Sequence, residues 1–179
     1  MGEFQDKVFV VTGGGAGIGR AAALLFAADG AIVADLSRSS ANGEETQRLI
    51  EQGGGRIVNI GSGSGWGKPN MFAYSTSKGG IFAFSAALAY DYFHQHIRVN
   101  TVVPGGGGMP TGMSLGRVGG DPAKLTGAGT AAGRPATGTD IANAVAFLLS
   151  PEAETISGTV IDVGCFSHQG GPIPPGARA

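Results

Sequence analysis

Three side chains in this sequence are of types that can move a proton, namely Ser62, Tyr74 and Lys78. The i, i+4 spacing of Tyr74 and Lys78 places both on one face of a helix. A phenol has a pKa near ~10 and is a poor base at neutral pH, but a neighbouring ammonium lowers that pKa. Ser62 supplies a hydroxyl for the same substrate oxygen. The three predict acid–base chemistry at an alcohol or carbonyl, although a lone Tyr-x-x-x-Lys is also an ordinary exposed helical pair.

A glycine-rich turn near the start of the chain predicts a second functional element. The β-branched run Val8–Val11 predicts a buried strand, and the spacing over Ile18–Asp29 predicts a helix. Glycines between them let the backbone approach a pyrophosphate at the helix N-terminus. Asp35 ends the next predicted strand, about 20 residues after Gly13. A carboxylate at that position accepts hydrogen bonds from the hydroxyls of an adenosine ribose. The expected dinucleotide contacts of the turn are Gly13, Gly15, Gly17, Ile18 and Gly19.

The elements that must position these residues alternate between strand and helix. This alternation predicts an α/β fold with a parallel sheet. The later elements are a helix over Gly43–Gln52, strands over Arg56–Gly61 and Ile97–Val103, helices over Ala73–His94 and Asp140–Leu149, and a last strand over Thr159–Val163.

Composition excludes several other functions. The chain has 179 residues and a net charge of −1, so no basic patch suggests nucleic acid. No apolar run approaches the ~20 residues of a membrane span, and the first seven residues do not form a signal peptide. The single cysteine, Cys165, suits a reducing cytoplasm. We expect a cytoplasmic protein with one domain over residues 1–169 and a flexible tail over residues 170–179.

Together, these motifs resemble those of the short-chain dehydrogenase/reductase family. The run from Thr12 to Gly19 resembles its cofactor turn, Asn59–Ser62 its serine strand end, and Tyr74–Lys78 its Tyr-x-x-x-Lys. The resemblance implies a Rossmann-like doubly wound parallel sheet and hydride transfer between NAD(H) and a secondary alcohol or ketone. It implies that Ser62 polarises the substrate oxygen, Tyr74 is the acid/base and Lys78 assists Tyr74 and holds the nicotinamide ribose. Pro104 and Gly105 resemble the turn that flanks the nicotinamide.

The sequence departs from the family between Gly55 and Arg56, where the third and fourth strands and their two helices are absent. We therefore expect a shortened sheet of about five strands, in which Arg56–Gly61 pairs directly with Val8–Val11. A right-handed crossover then places Gly43–Gln52 on the same sheet face as the Ala73–His94 helix. That long helix carries two apolar stripes, one of which needs cover, so we also expect self-association.

Several residues allow two interpretations. Arg38 could favour NADP, but Asp35 repels a 2′-phosphate, so we expect NAD. Trp66 either lines the substrate pocket or anchors its loop. Either Met109 or Thr111 could be the counterpart of the family's carboxamide-binding threonine. His94 and His96 diverge at a helix end without a third ligand, so we expect no metal site.

Two functions from different classes are compatible with the sequence. One is an NAD(H)-dependent alcohol dehydrogenase or carbonyl reductase acting on a small molecule, which the intact set of Ser62, Tyr74 and Lys78 favours. The other is a catalytically impaired remnant that binds a dinucleotide or acts as a scaffold, which the missing segment favours.

Overall fold

The structure is a computed structural model that describes residues 4–5, 7–12, 17–36, 55–105, 109–125, 132 and 134–164. Its strands are β1 (Val8–Thr12), β2 (Ile32–Leu36), β3 (Gly55–Ile60), β4 (Ile97–Val103) and β5 (Val160–Asp162). Its α-helices are α1 (Gly17–Ala28), α2 (Phe72–Tyr92), α3 (Gly112–Arg117) and α4 (Gly138–Leu149). The predicted helix over Gly43–Gln52 and the tail over residues 170–179 lie outside the described residues.

All the described strand pairs are parallel, but they form two separate sheets. Strand β1 pairs with β2, while β3, β4 and β5 form a second sheet in that order. The predicted pairing of Arg56–Gly61 with Val8–Val11 is therefore wrong. Helix α1 packs on β1 and β2, and its neighbour α4 packs on β3 and β4. Helices α1 and α4 also pack against each other, so their contact, and not a ladder of strand hydrogen bonds, joins β1 and β2 to the second sheet.

One hydrophobic core spans both sheets. Phe26 of α1 is 2% exposed, and Ile141 and Leu148 of α4 are fully buried. Side chains from β1 and β2 meet side chains from β3, β4 and β5 in the same cluster. The rings of Phe9 and Phe26 stack with centroids 4.5 Å apart, and Phe4 meets both edge-on. Burial of this shared surface stabilises the two sheets as one unit.

The start of α4 is held by a capping box that begins at Thr137. The Thr137 hydroxyl accepts the Asp140 N–H, and the Asp140 carboxylate accepts the Thr137 N–H in return. Arg134 also donates two hydrogen bonds to that carboxylate, at 2.7 and 2.8 Å. The bonds from Arg134 and then Thr137 hold the pKa of Asp140 well below its usual range.

Strand β4 is buried along its whole length and fastens the segment that leads into β5. Asn100, which is 1% exposed, donates to the Ile156 carbonyl at 2.8 Å and accepts the Thr159 N–H at 3.1 Å. Ser157 adds a third link, because its hydroxyl accepts the Val99 N–H.

Helix α2 packs against β4 through Ser85 and Ala89, which are buried, while Leu88 and Tyr92 border that face. The sequence predicts one apolar stripe with Phe84 and Leu88 and another with Phe82 and Phe93, and both Phe84 and Phe93 are mostly exposed. In the described part of the chain, no helix combines the length and apolar character needed to cross a bilayer.

We predict that Asn100→Ala lowers the free energy of unfolding by about 2–4 kcal/mol. The substitution removes both hydrogen bonds of a buried side chain and leaves the part-buried Ile156 carbonyl and Thr159 N–H without this partner. The control is Asn143→Ala on the exposed face of α4, for which we expect a change within about 0.5 kcal/mol. Urea unfolding measures both, and equal effects would contradict this role of Asn100.

Candidate active site

Ser62 lies just beyond β3, where the strand gives way to a short 3-10 turn over Gly63–Trp66. Its backbone is extended, and its hydroxyl accepts the Ser64 N–H at 3.2 Å, which caps the turn. The side chain is half-buried. Ser62 is therefore held at the carboxyl end of a parallel strand, the edge at which ligands bind in open α/β sheets.

Lys78 joins helix α2 to the end of β3. Its ammonium donates a 3.0 Å hydrogen bond to the carbonyl of Ile60, the last residue of the strand. The same ammonium lies 6.0 Å from the centre of the Tyr74 ring, in the first turn of the helix. This bond brings the Tyr74–Lys78 pair to the strand end that leads into Ser62.

Three glycines allow the turn over residues 63–66 to lie against α2. A methyl group at Gly65 would come within 2.5 Å of the Phe82 ring and 2.9 Å of the Lys78 carbonyl carbon. A methyl group at Gly79 would lie 2.9 Å from the Gly65 carbonyl oxygen. At Gly61 it would meet Phe82 at 2.7 Å and Thr101 at 2.9 Å. Real Cβ atoms do not approach so closely, so the contact between turn and helix requires glycine at these positions.

Trp66 packs on Phe82 of α2, with ring centroids 4.8 Å apart. This contact supports the interpretation that Trp66 anchors its loop. The indole is still 44% exposed, so part of it is open to solvent.

The expected dinucleotide elements follow β1. Gly17 begins α1 with a φ of +55°, a left-handed conformation that favours glycine, and the space beside its Cα is open. The first turn of α1 carries no acidic residue, and Ile18 and Gly19 are half-buried within it. Strand register places Asp35 beside Val11, one residue before β2 ends. Gly13 and Gly15 lie outside the described residues.

Pro104 and Gly105 follow β4 at the same edge of the fold, and both are half-buried. A methyl group at Gly105 would lie 3.1 Å from the Gly164 Cα and 3.2 Å from the Ala136 Cβ, so three chain segments converge there. Of the two candidate threonine counterparts, Met109 is buried in the core. Thr111 is half-buried and uses its hydroxyl to cap α3.

The other candidate residues lie apart from this group or outside the described residues. His94 and His96 are exposed at the end of α2, and within the described residues no set of three His, Cys, Asp or Glu side chains could hold a metal ion. Arg38 and Cys165 are outside the described part of the chain. A cleft of about 550 Å³ between α1 and α4 is lined by neither Ser62 nor Tyr74.

A family model described as "Enoyl-(Acyl carrier protein) reductase" matches residues 43–165, well over half of the sequence. That match includes Ser62, Tyr74, Lys78 and the Pro104–Gly105 turn. The chain belongs to the short-chain dehydrogenase/reductase family.

Curated relatives of this short-chain dehydrogenase/reductase share a third or more of its residues in the matched region. The 2-(S)-hydroxypropyl-CoM dehydrogenase 3 of Xanthobacter autotrophicus is 39% identical over 120 residues, which is 64% of this chain and 47% of the relative. A 3-oxoacyl-(acyl-carrier-protein) reductase of Vibrio harveyi is 34% identical over 116 residues, 64% of this chain and 46% of the relative. The chain spans about half the length of the curated relatives it matches.

Solved structures show the same Rossmann-type fold. The aldohexose dehydrogenase of Thermoplasma acidophilum superposes with a TM-score of 0.76 at 23% identity, covering 96% of this chain and 98% of the other. The angucycline C-6 ketoreductase LanV with bound NADP superposes with a TM-score of 0.77 at 22% identity, and the match covers 94% of this chain and 98% of LanV. The fold prediction of a doubly wound α/β architecture with about five strands is confirmed.

Adjacent glycines in α2 provide a matched test of the contact between turn and helix. We predict that Gly79→Ala lowers the free energy of unfolding by about 1–3 kcal/mol, because its methyl group would press on the Gly65 carbonyl. Gly80→Ala has open space and should stabilise the protein by about 0.5–1 kcal/mol, as alanine is the better helix former. Urea unfolding measures the stability of both variants. If both substitutions stabilised the protein, the close contact between Gly79 and the Gly65 carbonyl would be refuted.

Proposed function

We propose that this short-chain dehydrogenase/reductase transfers a hydride between NAD(H) and a secondary alcohol or ketone. The observation that carries the proposal is the bond from Lys78 to the Ile60 carbonyl. It holds the lysine beside Tyr74 and at the strand end that leads into Ser62. An alcohol, a base and a cation at one carboxyl edge of a parallel sheet suit proton transfer at a carbonyl oxygen.

In the proposed mechanism, Ser62 and Tyr74 act on one substrate oxygen, and Lys78 assists Tyr74. Ser62 donates a hydrogen bond to that oxygen and orients it. Tyr74 gives a proton to the oxygen in the direction of reduction and removes it in the direction of oxidation. The ammonium of Lys78 lies 6.0 Å from the centre of the Tyr74 ring, and Tyr74 lies in the first turn of α2, whose N-terminal end carries a positive dipole. The half-buried setting of these residues strengthens each electrostatic contribution.

The residues at the end of β1 fit a dinucleotide. Gly17 has a positive φ and open space beside it, and the first turn of α1 carries no acidic side chain that would repel a pyrophosphate. We propose that Gly13, Gly15, Gly17, Ile18 and Gly19 hold the pyrophosphate, and that Tyr74, Lys78, Pro104 and Gly105 hold the nicotinamide end. When bound, the nicotinamide supplies or accepts the hydride.

We propose NAD over NADP because of Asp35. Its position near the end of β2, beside β1, is where a carboxylate accepts from the ribose hydroxyls and repels a 2′-phosphate. The bound NADP in the LanV structure is a property of that ketoreductase.

The competing function is a dinucleotide-binding protein without turnover. The absence of the third and fourth family strands favours it, as does the separation of the two sheets. A relative that is 38% identical over 122 residues, from Xanthobacter autotrophicus, is named "Inactive 2-(S)-hydroxypropyl-CoM dehydrogenase 2". Binding of NADH without turnover of any alcohol or ketone would favour this second function.

We further propose that the protein acts in the cytoplasm and self-associates. Tyr90 and Phe93, whose ring centroids lie 6.2 Å apart at the end of α2, leave 77% and 64% of their surface exposed, an apolar patch that a second copy would cover.

We predict that Tyr74→Phe lowers turnover by about 10²- to 10⁴-fold, because the ring remains but the proton-transfer group is lost. The assay follows NADH absorbance with a panel of secondary alcohols and ketones. Tyr90→Phe is the control, since that phenol lies on an exposed part of the same helix and should leave turnover unchanged. Wild-type turnover in the Tyr74 variant would remove this residue from the mechanism.

We predict that NADH binds more tightly than NADPH. Asp35→Ala should lower the ratio of the NADPH to the NADH dissociation constant by at least about tenfold. The reason is that loss of the repulsion between the carboxylate and the 2′-phosphate is worth ~1.4 kcal/mol of binding free energy. Fluorescence titration of each nucleotide measures this without any turnover. Asp91→Ala, on the exposed end of α2, should leave the ratio unchanged. A wild-type preference for NADPH would contradict the assignment and point to Arg38.

A further inference from the structure

Strands β3 and β4 place two arginines side by side. Their parallel register makes Arg56 and Arg98 direct partners, so both side chains leave the sheet on the same face. Like charges opposite each other on neighbouring strands are destabilising. A compensating negative charge is therefore expected near this pair.

The described residues supply only part of that charge. Arg98 is 9% exposed, and its guanidinium donates to the carbonyls of Ile156 and Ser150, which are neutral acceptors. Burial, and then the charge of Arg56, lowers the pKa of Arg98, while Glu154 acts in the opposite direction. Within the described residues, neither arginine has a carboxylate within 4.0 Å. Two guanidinium groups thus share the influence of one more distant carboxylate.

The arginine pair opens onto a cleft of about 550 Å³. The cleft lies at the amino ends of β3 and β4, whereas Ser62 and Pro104 follow the carboxyl ends. With a rise of ~3.3 Å per residue, the six residues of β3 separate the two places by roughly 20 Å. The remaining residues that line the cleft are Gly55, Phe93, His96, Ile97, Glu154 and Ser157.

We infer that this cleft binds a phosphate group, with Arg56 as the contacting residue and buried Arg98 as a fixed second positive charge. The planar guanidinium of Arg56 is exposed and suits bidentate contact with a tetrahedral oxyanion. Glu154, which also lines the cleft, carries one negative charge against two positive ones, so a net positive charge remains to attract an anion. The inference does not depend on the proposed hydride transfer, since its residues lie at the other end of the strands.

Thermal unfolding of the full chain in sodium phosphate and in sodium chloride, at equal ionic strength and pH, tests the site. Wild-type protein should gain at least ~2 °C in Tm from phosphate over chloride, because a ligand that binds the native state stabilises it. Arg56→Gln should lose most of that gain. Arg117→Gln, an exposed arginine at the end of α3, is the matched control and should keep it. Phosphate that acts only as an excluded salt would stabilise all three proteins equally, and that result would overturn the inference.

The same experiment separates binding from a structural role of Arg56. In chloride, Arg56→Gln should unfold at or above the wild-type Tm, because the substitution removes the like-charge pair. A large loss of Tm in chloride would show that Arg56 supports the fold, and would contradict the inference. Isothermal titration with inorganic phosphate supplies a second readout. Arg56→Gln should raise the dissociation constant for phosphate by about tenfold or more.

Discussion

The close contact between the turn over residues 63–66 and helix α2 is the constraint on which the candidate site depends. Gly65 and Gly79 bring the two backbones together, and Lys78 then reaches the Ile60 carbonyl. A side chain at either glycine would push the helix away from the end of β3. Ser62 directly precedes the turn and Tyr74 lies on the helix. Glycines that take no part in the proposed chemistry therefore determine how these two residues are placed relative to each other.

The second constraint is the core beneath α1 and α4. These helices pack side by side, with Gly138 at the start of α4 close to Ala21 of α1. Their apolar faces cover both sheets, and residues from all five strands contribute to one cluster. The sheet of β1 and β2 and the sheet that leads into Ser62 are thereby joined through helices, although the described strands of the two sheets are not hydrogen-bonded to each other.

The sequence predicted the elements well where a local pattern determined them. The strand predicted over Val8–Val11 is β1, and the helix predicted over Ala73–His94 matches α2 within two residues at each end. It failed where packing between distant segments decided the result. The two sheets are joined by the packing of α1 against α4, which no local pattern encodes. Helix α3 was missed because six residues in a glycine-rich segment show no periodicity, although Thr111 and Ser114 form a capping pair that marks its start.

The site shows the same division. Residue types and the i, i+4 rule predicted that Tyr74 and Lys78 would be neighbours, and the structure places them so. The Ile60 carbonyl as a partner of Lys78 was beyond prediction, because any backbone carbonyl can accept and only the tertiary fold selects one. The need for Gly61, Gly65 and Gly79 was hidden for a similar reason, since 34 glycines give no signal of which ones face a neighbouring backbone.

The division into two sheets has a consequence for motion. A continuous ladder of hydrogen bonds resists displacement of one strand along its neighbour, whereas packed helices slide by small steps at little cost. Between β1 and β3 such a ladder is absent in the described residues, so the contact of α1 with α4 governs how far the two halves shift. Gly138 lies at that contact, where an added methyl group would sit 3.2 Å from Ala21. Relative movement of the two sheets would therefore be a shear motion, and its closest contact is the one where the start of α4 meets the start of α1.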